Sequence, residues 1–370
     1  MNVAFFGSSL VSAYWNGAAT YYRGIIRALA ERGHRVTFYE PDAFGRQQRR
    51  DMPDPPWATV VVYSADGEDD VRRQLDAAAS ADVIVKASGV GVFDELLEAA
   101  VPELGGPRTL RIFWDVDAPA TLARVRGREG SAEGPDPFGR QIPRYDAVFT
   151  YGGGPPVVRA YEALGARRCE PIYNALDPST HHPAPPDPRF AADLTFLGNR
   201  LPDREARVAE FFLNAARALP ERRFLLGGSG WEEGIDLPPN VAPLGHVSTN
   251  DHNALNRTPL AVLNVSRESM AATGYSPATR VFEAAGASAC LVTDAWEGIE
   301  LFLEPDREVL VADSGEAVAE HLRSLTPQRS REIGEAALRR VLAEHTYDRR
   351  AVRVEELLTG ELARRGTGDR

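Results

Sequence analysis

Short apolar runs alternate with amphipathic stretches twice along this chain, once on each side of a proline-rich segment. That pattern restricts 370 residues to few architectures. Residues 3–6 (VAFF) form an apolar run closed by Gly7-Ser8-Ser9, as a buried parallel strand would be. Over 17–32, Tyr21, Ile25, Ile26 and Leu29 recur at helical spacing, Gly33 ends the pattern, and 36–39 is apolar again. The first forty residues therefore predict one βαβ unit.

The alternation continues. Further strands are expected at 59–63, 82–87, 110–114, 147–151 and 168–173, with helices at 68–80, 92–100 and 155–164. Residues 126–140, rich in Gly, Arg, Glu and Pro, read as an exposed loop. Residues 177–193 carry several prolines and no periodicity, which suits an interdomain linker. A second set of strands follows at 194–197, 224–226, 241–244, 261–265, 289–293 and 309–312. Its helices are expected at 204–219, 279–287, 314–324, 330–344 and 348–364. The expected fold class is α/β, with two doubly wound Rossmann-like domains facing across a cleft. The expected division is 1–178 (first domain), 179–193 (linker), 194–346 (second domain), and 347–370, a terminal helix able to pack back on the first domain.

Composition excludes several functions. Acidic residues outnumber basic ones 53 to 42, for a formal net charge of −11, so neither nucleic acid nor an anionic membrane surface is an expected partner. Lys86 is the single lysine, and in sequence it has neither a Gly-rich context nor an obvious partner. A Walker loop and a Schiff-base cofactor both require a positioned lysine. The turn after the first strand lacks the G-x-G-x-x-G pattern of a dinucleotide-dependent dehydrogenase. Cys169 and Cys290 sit in separate apolar stretches, as buried thiols do in a reducing compartment. No apolar run approaches the roughly 20 residues of a membrane span. With a strand already at residues 3–6, no leader is expected, and the expected location is the cytoplasm.

The richest segment is 274–294, GYSPATRVFEAAGASACLVTD. After the turn at Ser276, a helix opening at Thr279 offers unpaired N–H groups suited to a diphosphate. Arg280 and Glu283, three residues apart, share one helix face. They suit a phosphate and a ribose, or else form an ordinary surface pair. Gly198 ends a strand where backbone can approach phosphate, and Arg200 and Arg204 follow; Arg204 equally suits the exposed start of the next helix. His246-Val247 follows another strand and, on the residues alone, reads as a solvated loop. At the carboxyl edge of the first sheet lie Gly7, Ser8, Ser9, Asn16 and Gly17 as acceptor-side candidates. Asp115 and Asp117 are candidate proton acceptors from an acceptor hydroxyl, Asp117 alternatively preceding a helix as its cap. His181-His182 has no other ligand at useful sequence spacing, so it reads as solvated and no metal is expected.

These segments resemble GT-B glycosyltransferases. RVFEAAGASACLVTD, the later AEHTYDRRA (343–351) and IFWDVDAP (112–119) together resemble the CgeB-like, spore-maturation group, and 16–40 resembles the opening βαβ unit of many GT-B enzymes. The resemblance spans nearly the whole chain and is most specific in its second half. It implies a metal-independent glycosyltransferase that moves a sugar from a nucleoside-diphosphate sugar to a hydroxyl or amine, with no resident cofactor. Residues 1–178 would form the acceptor side and 194–346 the nucleotide-sugar side, where Glu283 would hold the donor ribose, Arg200 or Arg204 the diphosphate, and His246-Val247 the base through its backbone or else remain a solvated loop. Where retaining relatives carry a second glutamate eight positions before the ribose-binding one, this chain has Tyr275. A sugar-nucleotide epimerase of the same fold, or a catalytically silent nucleotide-sugar-binding protein, are the competing readings. Asp115-Val-Asp117 also spells the metal-binding triplet of the other glycosyltransferase fold.

Overall fold

A computed structural model describes every residue except 15, 128–135, 232–233 and 368–370. The chain divides into two units, residues 1–173 with 347–370, and residues 174–346.

The first unit holds β1 (Asn2–Phe6), β2 (Arg35–Asp42), β3 (Thr59–Ser64), β4 (Val83–Ala87), β5 (Leu110–Asp115), β6 (Ala147–Thr150) and β7 (Cys169–Pro171). They form one sheet in the order β3-β2-β1-β4-β5-β6-β7, every neighbouring pair parallel. The connections change direction between β1 and β4, and such a switch leaves a crevice at the carboxyl ends of the two strands. Helices cover both faces, so a central strand such as β4 is buried at every residue and reads as an apolar run without alternation. Lys86 breaks that run, and the fold supplies the partners its sequence context does not show. Its Nζ lies 2.5 Å from Asp94 Oδ1 and 3.6 Å from Glu98 Oε1. The helix Tyr347–Thr367 belongs to this unit; the Tyr347 ring occupies the space beside Gly24 in the helix Ala19–Glu31.

The second unit repeats the plan with β8 (Leu194–Leu197), β9 (Phe224–Gly227), β10 (Val241–Gly245), β11 (Ala261–Asn264), β12 (Leu291–Asp294) and β13 (Leu310–Ala312). The order is β10-β9-β8-β11-β12-β13, again parallel throughout. Its switch point lies between β8 and β11. A core around Phe196, Phe212, Phe224, Leu263 and Val292 fills the space between sheet and helices.

Several local expectations change. The proline-rich residues 179–193 do not stand apart as a linker. They lie within the second unit, where the backbone N–H of His182 donates to Asn253 Oδ1 and that of Asp187 to Thr258 Oγ1. Of the loop expected at 126–140, residues 128–135 lie outside the described residues, and its flanks join the helices Ala118–Gly127 and Pro137–Gln141. The helices His252–Arg257 and Glu268–Thr273 were likewise not expected. The helix expected at 204–219 begins at Pro202 and passes through a π turn, Ala209–Leu213, where Glu210 accepts the Gly315 N–H.

Candidate active site

In the second unit, the chain leaving β8 and the chain leaving β11 meet at the switch point. Gly198 follows β8, and its N–H donates to Gly227 O at 3.0 Å. A Cβ there would stand 2.9 Å from an Arg204 Nη atom, so the missing side chain leaves room for the guanidinium. Arg204 is largely enclosed, and its Nε has no hydrogen-bond partner among the described residues. Burial pushes its pKa down, Asp203 opposes this, and the neighbouring Arg267 and Arg280 push it down further. A group already crowded by two cations gains by receiving an anion.

Arg267 escaped the sequence reading. It lies just after β11, with its Nε on Asp203 Oδ2 at 2.6 Å. The turn that carries it is fixed from below by wholly buried Asp294, which accepts the Ser266 N–H and hydroxyl and pairs with Arg207 at 2.7 Å. Arg200 is placed differently from Arg204. Glu205 takes its Nε and Nη2 at 2.8 and 2.6 Å, a bidentate pair a phosphate would have to displace.

The helix Thr279–Gly286 starts in the same loop, and no side chain caps it. Ser276, just before it, is buried and donates to Gly274 O. Arg280 Nη1 lies 3.3 Å from Glu283 Oε2, with both side chains only about one-sixth exposed. Burial works to raise the Glu283 pKa, but Arg280, His181 and His252 outweigh it and hold the carboxyl below its ordinary range. The expectation of a solvated His181 without ligand-type neighbours does not hold in space. Its side chain is 12% exposed with Nε2 3.9 Å from Glu283 Oε1. His181, His252 and Glu283 each offer an atom within 4.8 Å of the others. Burial, chiefly, lowers the His252 pKa to about 4, and its ring hydrogen-bonds the backbone of Val247. Val247 is buried, whereas His246 is exposed.

At Tyr275, where the resemblance leaves a glutamate missing, the backbone is left-handed (φ 49°) and the hydroxyl donates to Glu297 Oε1 at 2.9 Å. A carboxylate from a different loop thus stands beside the vacated position.

In the first unit the acceptor-side candidates mostly build their own loop. The Ser8 hydroxyl donates to Asn16 Oδ1, and Asn16 Nδ2 returns bonds to Ser9 O and Ser12 O. The Ser9 hydroxyl and the Leu10 N–H both go to Glu40. Gly7 packs against the Phe38 ring, and of the group Gly17 alone is exposed.

Asp115 is a correction. It is wholly buried, and it accepts from Ser88 Oγ, Thr121 Oγ1, Tyr161 Oη and the Asp117 N–H. Burial raises its pKa against those four bonds, and no acceptor hydroxyl can reach it. Asp117 remains partly exposed, and its carbonyl accepts the Thr121 N–H in the first turn of the helix Ala118–Gly127.

Two parallel sheets, of seven and six strands, that share one strand order over six positions match the GT-B fold of solved glycosyltransferases. Residues 204–356 match the family model described as glycosyl transferase-like. Across its length the chain is similar to sucrose-phosphate synthase from Thermosynechococcus elongatus, with TM-score 0.69, 13% identity, and 98% of this chain and 99% of that one covered. It is also similar to Anabaena HepE solved with UDP and glucose, at TM-score 0.67 and 14% identity, covering 97% and 100%. AviGT4, a glycosyltransferase involved in avilamycin A biosynthesis, aligns with TM-score 0.62 and 21% identity, covering 98% of each chain. No protein of curated function matches in sequence. Among the described residues no helix is long and apolar enough to cross a membrane.

Proposed function

We propose that this chain transfers a sugar from a nucleoside-diphosphate donor held by the second unit to an acceptor held by the first. The observation that carries this reading is the gathering of Arg204, Arg267 and Arg280 at the β8/β11 switch point beside Glu283. The diphosphate would lie against Arg204, Arg280 and the open N–H groups of Thr279 and its neighbours, with Gly198 close to it. Glu283, kept ionised, would accept the ribose hydroxyls. Val247 and His246 would border the base through the backbone. Asp117, not Asp115, is the carboxylate we assign to the acceptor hydroxyl.

Three guanidinium groups and a helix terminus supply the charge that a metal ion otherwise would. The His181–His252–Glu283 group contains metal-ligand types, but Arg280 shares the same carboxylate and its charge opposes a cation there. The proposed chemistry is therefore metal-independent, with no resident cofactor, in a cytoplasmic protein of the CgeB-like group. UDP-sugars are the first donors to try, since HepE was solved with UDP-glucose. The test is release of nucleoside diphosphate from a panel of nucleotide sugars, with and without magnesium. Turnover of one donor in the presence of a chelator supports the reading; turnover only with added metal contradicts its metal-independent part. Binding without turnover over a broad acceptor panel favours the silent binding protein.

A further inference from the structure

The first unit has a switch point of its own, between β1 and β4, and the segments leaving β1, β2 and β4 line an open, solvent-facing cavity of about 450 Å³. Its lining is Tyr14, Phe44, Arg46, Arg49 and Gly91. None of these belongs to the donor site, and the β1 loop meets the cavity through Ser8 O, which accepts from Arg46.

Two arene–guanidinium contacts line it. Arg46 Cζ lies 5.0 Å from the centre of the Phe44 ring, and Arg49 Cζ lies 3.9 Å from that of Tyr14. Arg46 is 7% exposed, and its Nη1 donates to Ser8 O and Val90 O, tying the β1 and β4 loops together. Phe44 is the opposite case, 57% exposed with a left-handed backbone (φ 57°). That conformation is a genuine outlier for a bulky side chain. Its ring rests on Gly91 (φ 99°), where a Cβ would stand 2.6 Å from Phe44 Cε2. Unfavourable backbone thus presents an apolar ring to solvent, and such strain collects at binding sites.

The charge in this cavity is also unusual for a chain of net charge −11. Arg46 and Arg49 form no ion pair with a carboxylate among the described residues, although Arg46 feels the charge of Glu40 and acidic residues lie in the same loops. Those acids are engaged elsewhere. Asp51 pairs with Arg23 and accepts the Ala13 N–H; Glu40 holds Ser9, Leu10 and Gln47; Asp94 holds Lys86 and the Val90 and Gly91 N–H groups. Arg50, next in sequence, pairs with Asp54. The cavity is left with two cations and two rings.

We infer that this cavity is an acceptor subsite for a planar aromatic ring bearing a carboxylate. This rests on the reading of the chain as a glycosyltransferase. The ring would lie on the open side of Phe44, and the carboxylate would meet Arg49, an exposed residue whose guanidinium carbon lies over the Tyr14 ring and whose planar fork suits a bidentate contact. A cavity of this size admits one or two fused rings. Glycosyl transfer would then take place at a hydroxyl carried elsewhere on the same acceptor.

The test is a calorimetric titration of the full chain with three probes: 4-hydroxybenzoate, phenol (ring without charge) and glycerol 3-phosphate (charge without ring). The aromatic acid is expected to bind at least about tenfold tighter than either of the others, the scale of one charge-assisted bidentate contact. Arg49→Met should remove that advantage, and Phe44→Ala should reduce it severalfold. Nucleoside-diphosphate affinity in both variants should stay at the wild-type value, which also certifies their folding. Equal affinities for the three probes overturn the inference, as does an Arg49→Met variant that keeps full selectivity. Loss of nucleotide binding in the unaltered chain would instead count against the donor site.

Discussion

Arg280 and Glu283 stand one turn apart on a single helix, guanidinium to carboxylate at 3.3 Å, at the start of the segment that faces the β8/β11 switch point. The pair keeps Glu283 ionised although it is largely enclosed. Glu283→Ala is expected to weaken nucleoside-diphosphate binding by about 1–3 kcal/mol, the cost of leaving enclosed polar partners unmet. Calorimetry checks this; an unchanged affinity removes Glu283 from the site.

Arg204 and Arg200 separate by what already holds them. Arg204→Ala should lower diphosphate affinity about tenfold or more, because a charge-assisted contact is lost. It should barely affect a free nucleoside. Arg200→Ala should change either affinity little, since Glu205 already occupies that guanidinium. Equal losses in the two variants would show that proximity to Gly198 does not mark the phosphate.

The two aspartates at the end of β5 should part in the same way. Asp115→Asn disturbs a carboxylate with four hydrogen-bond donors around it and is expected to lower stability by about 1–3 kcal/mol. Asp117→Asn should leave the melting temperature unchanged and reduce donor turnover. A stable Asp115→Asn protein without activity would reverse these roles.

Lys86 should be inert toward amine acylation in the folded protein and react on unfolding, because it is wholly buried against Asp94. Lys86→Met strands two acidic partners and is expected to cost about 3–5 kcal/mol. Burial works to raise the Asp94 pKa, but Lys86 and the Gly91 and Val90 N–H groups outweigh it and hold the carboxyl low. A depressed folded-state pKa stabilises above the ordinary carboxylate range, and that stability is lost as pH falls through the lower value. The gap between wild type and Lys86→Met in urea melts should therefore narrow below about pH 4. A gap independent of pH would contradict the pairing.

The central strands were legible because each is a short apolar run between turn signals, and burial on both faces, as in β4, β6 and β11, makes such runs conspicuous. Helices such as Glu268–Thr273 and His252–Arg257 were not, since six residues cannot display a helical period. In the site, Arg280 and Glu283 share a helix, so their spacing alone joined them. Arg267 reaches Arg204 only because β8 and β11 are neighbours, a fact of strand order that no local pattern carries. Asp115 misled because a carboxylate ending a strand suggests exposure, while Ser88, Thr121 and Tyr161 arrive from distant segments to enclose it. His181 misled for the opposite reason, its neighbours His252 and Glu283 being remote in sequence.

Thermal unfolding of the full chain against UDP, GDP, dTDP, CDP and ADP, each with magnesium and with a chelator, tests the donor site. A true ligand at about 100 times its dissociation constant adds about 2.7 kcal/mol to stability. One selective upward shift of the midpoint is expected, persisting in the chelator and disappearing in Arg204→Ala. No shift with any nucleotide would contradict it.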